Sequence, residues 1–350
     1  MLPAVIALAI APAFLILGLG FVARAIAAQR VTGLVVQYAP QRGSTVLHDA
    51  LLVDEDRRAT SAMLIDLAVK RKVRLLAGSK REPIGVAVLP NVVFTADELT
   101  LLEALFGPDH TPGRVRRFSS DRRALTGRLR TLVQHAEHAL AREGLIAPRR
   151  TTWPGVTLRS LAYLGMLVEA LLIVFALIDG DGASLGLTLV ALVATIGTIV
   201  VTPSSWRRFL PPARPRREHL DGLRQYLELA EADRLRMLQS PTGADLVPTD
   251  GEDPALARYH LHERLLPYAV LFGLEREWIR QLKLEHDELV TRDPGLFSDG
   301  VDGVDALHDV ATALDAAGGA VQLTAAVGDL VDGTGAVLDG VGGIFEVFSS

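Results

Sequence analysis

Hydrophobic residues are concentrated in three long runs of the sequence. These runs cover residues 1–23, 157–178 and 184–203, so each is about twenty residues long. A helix of that length is sufficient to cross the hydrocarbon core of a bilayer, which is about 30 Å thick. Only Asp-Gly-Asp-Gly-Ala, residues 179–183, separates the second run from the third. The pattern therefore predicts three transmembrane helices, the last two joined as an antiparallel hairpin.

The charges beside these runs predict their orientation. No basic residue precedes the first run, whereas Arg24 and Arg30 follow it, which favours a retained anchor over a cleaved signal peptide. Arginines also flank the open end of the hairpin, at positions 149, 150, 207 and 208. By the positive-inside rule, the N-terminus is expected outside a bacterial inner membrane and the C-terminus in the cytoplasm. Pro12 is expected to kink the first helix, where neighbouring helices can satisfy the freed carbonyl.

The region between the first run and the hairpin shows shorter, mixed patterns. Residues 31–113 predict a small winged-helix-like α/β unit, in which helices flank a β-hairpin at 73–76 and 84–88. Thr95 and Glu98 have the spacing of a capping box, which predicts a helix start at that point. Residues 114–150 predict an Arg-rich amphipathic helix that leads to the membrane.

The region after the hairpin is expected to be helical and then acidic. Residues 218–290 predict a cytoplasmic helical domain, and residues 299–350 form an acidic tail rich in Gly, Ala and Val. Ten arginines lie between 114 and 150, whereas thirteen acidic residues and one basic residue lie from 285 onward. The tail could therefore lie near the Arg114–Arg130 surface, although salt screens such exposed pairs. The fold class predicted is a mainly α membrane protein.

The composition and the motifs that are missing exclude several kinds of metal site and active site. The sequence is 49% hydrophobic, has a net charge of −5 and contains no cysteine, which excludes disulfides and thiolate metal sites. It contains no phosphate-binding loop, no GxSxG and no HExxH. We therefore predict no catalytic residues, no cofactor and no enzymatic activity.

Glu169 is the most informative single residue, because it lies near the middle of the second run. An unpaired carboxylate there would be costly. One interpretation is a proton or cation relay, and the other is a glutamate that hydrogen-bonds between helices. An antiparallel hairpin places Glu169 within about a turn of Thr188 and Thr195. The runs contain one acid, and their only base, Arg159, lies at the entrance of the second run rather than near Glu169, so the structural interpretation is favoured.

Two other patterns suggest ligands but are weak. His135 and His138 share a helix face and His260 and His262 flank one residue, yet no third ligand has suitable spacing, so no metal site is predicted. The Arg-rich stretch beside a winged-helix-like unit could suggest nucleic acid. Arginines next to a membrane are also explained by anionic lipid, and nucleic acid is not expected.

Four blocks of the sequence resemble one family. They are HERLLPYAVLFGLEREWIRQL at 262–282, DGLRQYL with AEADRL at 221–235, MLIDLA at 63–68, and LTLLEALF at 99–106. In their order along the chain, and with a transmembrane hairpin among them, these blocks resemble the bacterial predicted membrane proteins of domain-of-unknown-function family 2207, over roughly residues 31–290. Members usually carry an extracellular β-sandwich before the first span, whereas this sequence begins at the span. The resemblance implies a topology and no known activity.

These observations favour an assembly or adaptor scaffold in the membrane. The segments 31–145 and 218–290 are tethered to the two ends of one hairpin, so we expect them to pack as a composite domain. The residues expected at this packing surface are Leu265, Pro267, Tyr268 and Trp278. The partners expected are the lipid bilayer and either another protein or a second copy. The alternative is a small transport or ion-permeation subunit that uses Glu169.

Overall fold

The computed structural model describes residues 2–76, 85–107, 112–113, 115–117, 122–229 and 253–293, the side chains of 2, 4, 116, 117 and 122–126 excepted. The elements in chain order are α1 (Leu2–Val5), a π-helical segment (Ile6–Ile10), α2 (Ala11–Ala28), α3 (Val46–Leu52), α4 (Asp56–Val69), β1 (Val73–Leu76), β2 (Gly85–Val88), α5 (Ala96–Phe106), β3 (Val115–Arg117), α6 (Arg122–Arg142), α7 (Gly155–Asp179), α8 (Gly182–Val201), a 3-10 turn (Pro211–Ala213), α9 (Arg214–Glu228), α10 (Pro254–Phe272) and α11 (Glu275–Arg292). The acidic tail predicted at 299–350, and its contact with the Arg114–Arg130 surface, lie outside the described residues.

The chain divides into two compact units. The membrane unit combines Met1–Val31 with Ala141–Ala213, and the extramembrane unit combines Thr32–Leu140 with Arg214–Ser350. Each unit is therefore assembled from segments that are distant in sequence.

Three helices of the membrane unit are long and apolar enough to cross a bilayer: Ile6–Ala28, Gly155–Asp179 and Gly182–Val201. This confirms the three predicted spans. The first helix continues to Ala28, beyond the predicted end at Ala23, and stops where Gln29 takes a left-handed backbone conformation. Alanines at 25, 27 and 28 favour this continuation because alanine has the highest helix propensity.

Small side chains let the spans approach each other closely. Ala9, Ala13, Ala191 and Ala194 are buried together with Val5 and Leu172. Large side chains such as Leu167 and Val193 are instead exposed on the outer faces. Helices that associate in lipid gain from close packing rather than from the hydrophobic effect, so this arrangement is typical of a membrane bundle.

Next to Pro12, where a kink is predicted, the helix departs from regular α-helical geometry. Pro12 is at the start of α2 and cannot donate a backbone hydrogen bond to the preceding turn. The preceding turn, Ile6–Ile10, is π-helical. A π-helical turn is one way in which a helix accommodates a local break in its hydrogen-bond ladder.

The open end of the hairpin is closed by a short antiparallel ladder. The amide of Thr151 donates to Trp206 O at 2.9 Å, the amide of Trp206 donates to Thr151 O at 3.0 Å, and the amide of Ala147 donates to Arg208 O at 2.9 Å. Gln29 joins the first span to this ladder: its amide donates to Arg207 O at 2.7 Å and its carbonyl oxygen accepts from the amide of Phe209 at 3.1 Å. The three spans are thus fastened together at one end.

The extramembrane unit contains the small α/β region predicted from the sequence. Strands β1, β2 and β3 form an antiparallel sheet in that order, with Val73 opposite Val88 and Val86 opposite Arg116. Strand β3 was not predicted, because the sequence suggested only an Arg-rich stretch there. The capping box is confirmed: Thr95 accepts from the amide of Glu98, and Glu98 accepts from the amide of Thr95.

Helix α10 is the centre of the extramembrane unit. It packs against α4, α11, α9 and α3, so the predicted packing of segment 218–290 on segment 31–145 is present. Helix α9 begins at Arg214, earlier than the predicted start at residue 218, and includes Pro215 in its first turn. Proline is tolerated there because the first amides of a helix have no partner within it, so the prediction that Pro215 breaks the chain was wrong.

Candidate functional site

Glu169 is buried at the α7–α8 contact of the membrane unit. Its side chain is 1% exposed. The hydroxyl of Thr195 donates a hydrogen bond of 2.6 Å to Glu169 Oε1. The hydroxyl of Thr188, the other residue expected near it, donates to Ser184 O of its own helix at 2.8 Å. The hydrogen bond between Glu169 and Thr195 therefore links the two helices of the hairpin.

The second oxygen of Glu169 is in a different situation. Oε2 is buried and has no hydrogen-bond partner among the described residues. A buried carboxylate oxygen without a hydrogen-bond partner costs much free energy when the group is charged. The cost is far smaller when the carboxyl group is protonated and neutral. The arrangement fits a carboxyl group that accepts one hydrogen bond and can carry a proton on its other oxygen.

The four residues predicted for domain packing all lie in the α10–α11 region. Leu265 is fully buried in α10, and Pro267 and Tyr268 are buried beside it. Trp278 of α11 is 1% exposed, and its indole NH donates to His262 O at 3.0 Å. The structure thus brings these residues together in one buried region and places Glu169 in the other unit.

A buried charge cluster joins three elements of the extramembrane unit. Asp49 of α3 has no exposed surface. Its Oδ1 accepts from Arg216 Nε of α9 at 3.2 Å, and its Oδ2 accepts from the Tyr268 hydroxyl of α10 at 2.8 Å. The Ser44 hydroxyl also donates to Oδ2. Burial, followed by the neighbouring carboxylate of Asp49, raises the pKa of Tyr268, which therefore keeps its proton.

A second buried network centres on His262. Its Nδ1 is 2.8 Å from Glu285 Oε1, and its Nε2 is 3.1 Å from the Tyr226 hydroxyl. Gln281 also donates to Glu285 Oε1 at 3.1 Å. Burial alone would raise the pKa of Glu285, but the hydrogen bond and charge of His262, with Gln281, lower it below its usual range. The network connects α9, α10 and α11.

Arg58 makes a third connection within this unit. Its Nη1 donates to Val270 O at 3.1 Å and lies 3.4 Å from Glu275 Oε2. Val270 and Glu275 lie on either side of the turn between α10 and α11, and α4 carries Arg58. This cation therefore fixes that turn against α4.

The histidines considered as metal ligands do not converge. His260 faces Glu263 at 3.5 Å, whereas His262 is buried in the network described above. His135 and His138 are exposed on α6. In the described part of the chain, no group of three or more His, Asp or Glu side chains is arranged to hold a metal ion.

Sequence reasoning missed the Asp49 and His262 networks. Both depend on residues that meet only in the folded chain, so spacing carries no signal for them. One local signal was available for Asp49: it is a carboxylate in the short apolar helix VLHDALL, where most neighbours are buried. A charge in such a position needs a partner.

The comparisons with known proteins agree with the membrane assignment. No curated protein and no solved structure shows significant similarity to the chain. Residues 31–282 match the family described as "Predicted membrane protein (DUF2207) C-terminal domain". The match covers more than half of the sequence; it includes the hairpin, the first extramembrane segment and the second one as far as residue 282. The chain therefore belongs to the DUF2207 family of predicted membrane proteins.

Proposed function

We propose that this protein is a scaffold of the bacterial inner membrane. Its extramembrane unit is held at the cytoplasmic face and binds a protein partner or a second copy of the chain. The observation that carries the proposal is the buried cluster of Asp49, Arg216 and Tyr268, which ties α3, α9 and α10 together.

A buried ion pair of this kind favours one arrangement of the elements that supply it. Desolvating two charges is offset only when the geometry of the pair is good and their remaining hydrogen bonds are made. Asp49 meets these conditions through two hydroxyl donors and one guanidinium. The unit is therefore suited to act as a rigid platform.

Two covalent links support a position close to the membrane. Thr32, where the unit begins, follows the end of α2 at Ala28 by four residues. Arg214, where it resumes, follows the end of α8 at Val201 by thirteen residues. The arginines beside these span ends favour the cytoplasmic side.

Photocrosslinking in cells tests this proposal. A photoreactive amino acid at Lys283, which is exposed on α11, should give discrete crosslinked species in membranes. Asp49→Asn, which loosens the platform, should weaken those species severalfold. Arg224→Met, which removes a half-exposed ion pair with Glu228 and a positive charge near Glu55 but leaves Asp49 and its partners intact, should leave them unchanged. If the parent protein, Asp49→Asn and Arg224→Met all gave identical crosslinks, partner binding would not depend on the rigidity of the extramembrane unit, which would contradict the proposal.

A second candidate function is transport or ion permeation through Glu169. The observation that favours it is the buried Oε2, which has no partner among the described residues. A carboxyl group in this state could bind and release a proton. The hydrogen bond from Thr195 is equally compatible with a structural role, so we rank this function second.

Proteoliposomes distinguish the two functions. A transport role predicts proton or monovalent cation flux in response to an imposed gradient, and loss of that flux in Glu169→Gln. A scaffold role predicts no flux in either protein and crosslinks that persist in Glu169→Gln. The two readouts are independent, so each function can fail without affecting the test of the other.

A further inference from the structure

The loop that follows the first span in the sequence presents two aliphatic side chains to solvent. Leu34 is 94% exposed and Val35 is 63% exposed. We call this pair the apolar tip. Exposing a single hydrophobic residue is ordinary, but two adjacent ones at this level in a well-anchored loop need an explanation.

The loop is held firmly against α9. The amide of Gly33 donates to Asp221 Oδ2 at 2.8 Å, and the side chain of Gln225 donates to Gly33 O at 3.0 Å. The amide of Gln37 donates to Gly222 O at 3.1 Å. The polar backbone of the loop is thus engaged with the helix, while the apolar tip is left exposed.

The backbones of the loop and the helix also approach each other closely. A Cβ atom at Gly33 would lie 2.6 Å from Glu218 O, and one at Gly222 would lie 2.2 Å from Val35 O. Both distances are too short for any side chain larger than hydrogen. Glycine is therefore required on both sides, and the tip has a fixed orientation relative to α9.

A short stretch of chain links the apolar tip to the first span. Leu34 follows Ala28, the last residue of the first span, by six residues. At about 3.3–3.6 Å per residue, the intervening chain reaches at most about 22 Å. Arg24 and Arg30, which are exposed beside the same span end, can contact anionic headgroups.

We propose that the apolar tip inserts into the boundary between headgroups and acyl chains of the bilayer. Two aliphatic side chains are far too small a surface for a stable protein interface, which needs about 800 Å² per partner. They are sufficient to add to the membrane affinity of a unit that is already tethered, as interfacial apolar residues do. The tip then restrains α9, and with it the extramembrane unit, against the membrane surface.

Site-specific fluorescence tests this proposal, because the chain contains no cysteine. Leu34→Cys is labelled with an environment-sensitive fluorophore, and the full chain is placed in nanodiscs of phosphatidylethanolamine and phosphatidylglycerol. Val93→Cys is the matched control, since Val93 is 85% exposed in the same unit. We expect the label at position 34 to be blue-shifted relative to the control. It should be quenched severalfold more by lipids spin-labelled near the headgroup and severalfold less by aqueous iodide.

Three results would overturn the proposal. Equal quenching of both labels by iodide would place the tip in water. A blue shift that appears only at high protein-to-lipid ratio would assign the tip to a second copy of the chain. A blue shift that persists in detergent without lipid quenching would assign it to a contact within the protein. Because Leu34 is almost fully exposed, its replacement is not expected to affect folding.

Discussion

The hydroxyl of Tyr268 donates a hydrogen bond of 2.8 Å to Oδ2 of Asp49, although the two residues are 219 positions apart. Asp49 has no exposed surface and Tyr268 is 3% exposed, so water cannot replace a lost partner. Arg216 supplies the opposite charge from a third element. The stability of α3, α9 and α10 should therefore depend on the same few atoms.

Arg216→Met should reveal this dependence most directly. Asp49 would keep its two hydroxyl donors but lose its only cationic contact in the described structure, leaving a buried charge without compensation. We expect the free energy of unfolding to fall by about 3–5 kcal/mol. Denaturation in detergent, followed by tryptophan fluorescence, measures the change.

The control for this prediction is Arg224→Met on the same helix. Arg224 pairs with Glu228 at 2.8 Å, but both side chains are about half exposed. Removing such a pair should change the free energy of unfolding by at most about 0.5 kcal/mol. Similar losses in both variants would show that burial of Asp49 has no special effect.

Trp278→Ala tests the composite nature of the extramembrane unit. The indole is 1% exposed and contributes both packing and a hydrogen bond to His262 O. Its removal should cost about 3–5 kcal/mol. Limited proteolysis should then show that residues 31–145 and 218–290 lose protection together. The control is Leu284→Ala, at a position 60% exposed on the same helix, which should leave protection unchanged. If residues 31–145 alone stay resistant in Trp278→Ala, the two segments fold independently and the prediction is wrong.

The network around His262 predicts sensitivity to acid. The pKa of Glu285 in the folded chain lies below its usual value of 4.5 because His262 and Gln281 outweigh the effect of burial. A carboxyl group whose pKa is lowered by folding stabilises the protein above its unfolded-state pKa, and this contribution disappears as pH falls through the folded-state pKa. The free energy of unfolding should therefore decrease as pH falls below about 4.5. In Glu285→Gln, the free energy of unfolding should decrease less steeply over the same pH range. If it fell equally steeply in both proteins, Glu285 would not be a source of the acid sensitivity.

Local signals in the sequence were sufficient for much of the fold. The three spans follow from hydrophobic length alone, and the start of α5 follows from the Thr95–Glu98 spacing, because a capping box is a local set of hydrogen bonds. The proximity of Glu169 to Thr195 also followed from the hairpin, since a tight turn fixes which residues face each other.

Long-range features could not be read in the same way. Nothing near Asp49 in the sequence indicates Arg216 or Tyr268, because the three meet only through tertiary packing. Gly222 lies within a block that resembles the family, but nothing in the sequence shows why glycine is needed there. In the structure, the backbone of the loop at Val35 leaves no room for a side chain at this position. The roles of such residues can be identified from interatomic distances in the folded chain but not from their positions in the sequence.

Reporter fusions test the orientation of the chain. Arginines beside the open end of the hairpin predict that the turn near Gly182 lies outside and that Ser350 lies inside. A reporter active only in the periplasm should therefore give signal after Gly182 and none after Ser350. A reporter active only in the cytoplasm, fused at the same two positions, should give the opposite pattern. Signal from the periplasmic reporter at Ser350 alone would reverse the assignment.

The hydrogen bond between Glu169 and Thr195 should act as a link between the two helices of the hairpin. Glu169→Gln keeps a side chain that can accept from the Thr195 hydroxyl, so we expect the free energy of unfolding to change by less than about 1 kcal/mol. Glu169→Leu removes the acceptor, and Thr195→Val removes the donor. If the bond couples the helices, the double variant should lose less than the sum of the two single variants, by about 0.6 kcal/mol and at most about 1.7 kcal/mol.

Thr188→Val provides the matched control for that cycle. Thr188 is buried on the same helix as Thr195, but its hydroxyl donates to Ser184 O within the helix rather than to Glu169. The effects of Glu169→Leu and Thr188→Val should therefore add. Additive effects in the Thr195 cycle as well would show that the 2.6 Å hydrogen bond contributes no coupling between α7 and α8. The burial of Glu169 would then need a different explanation, and the proton-binding role tested in proteoliposomes would become the stronger of the two.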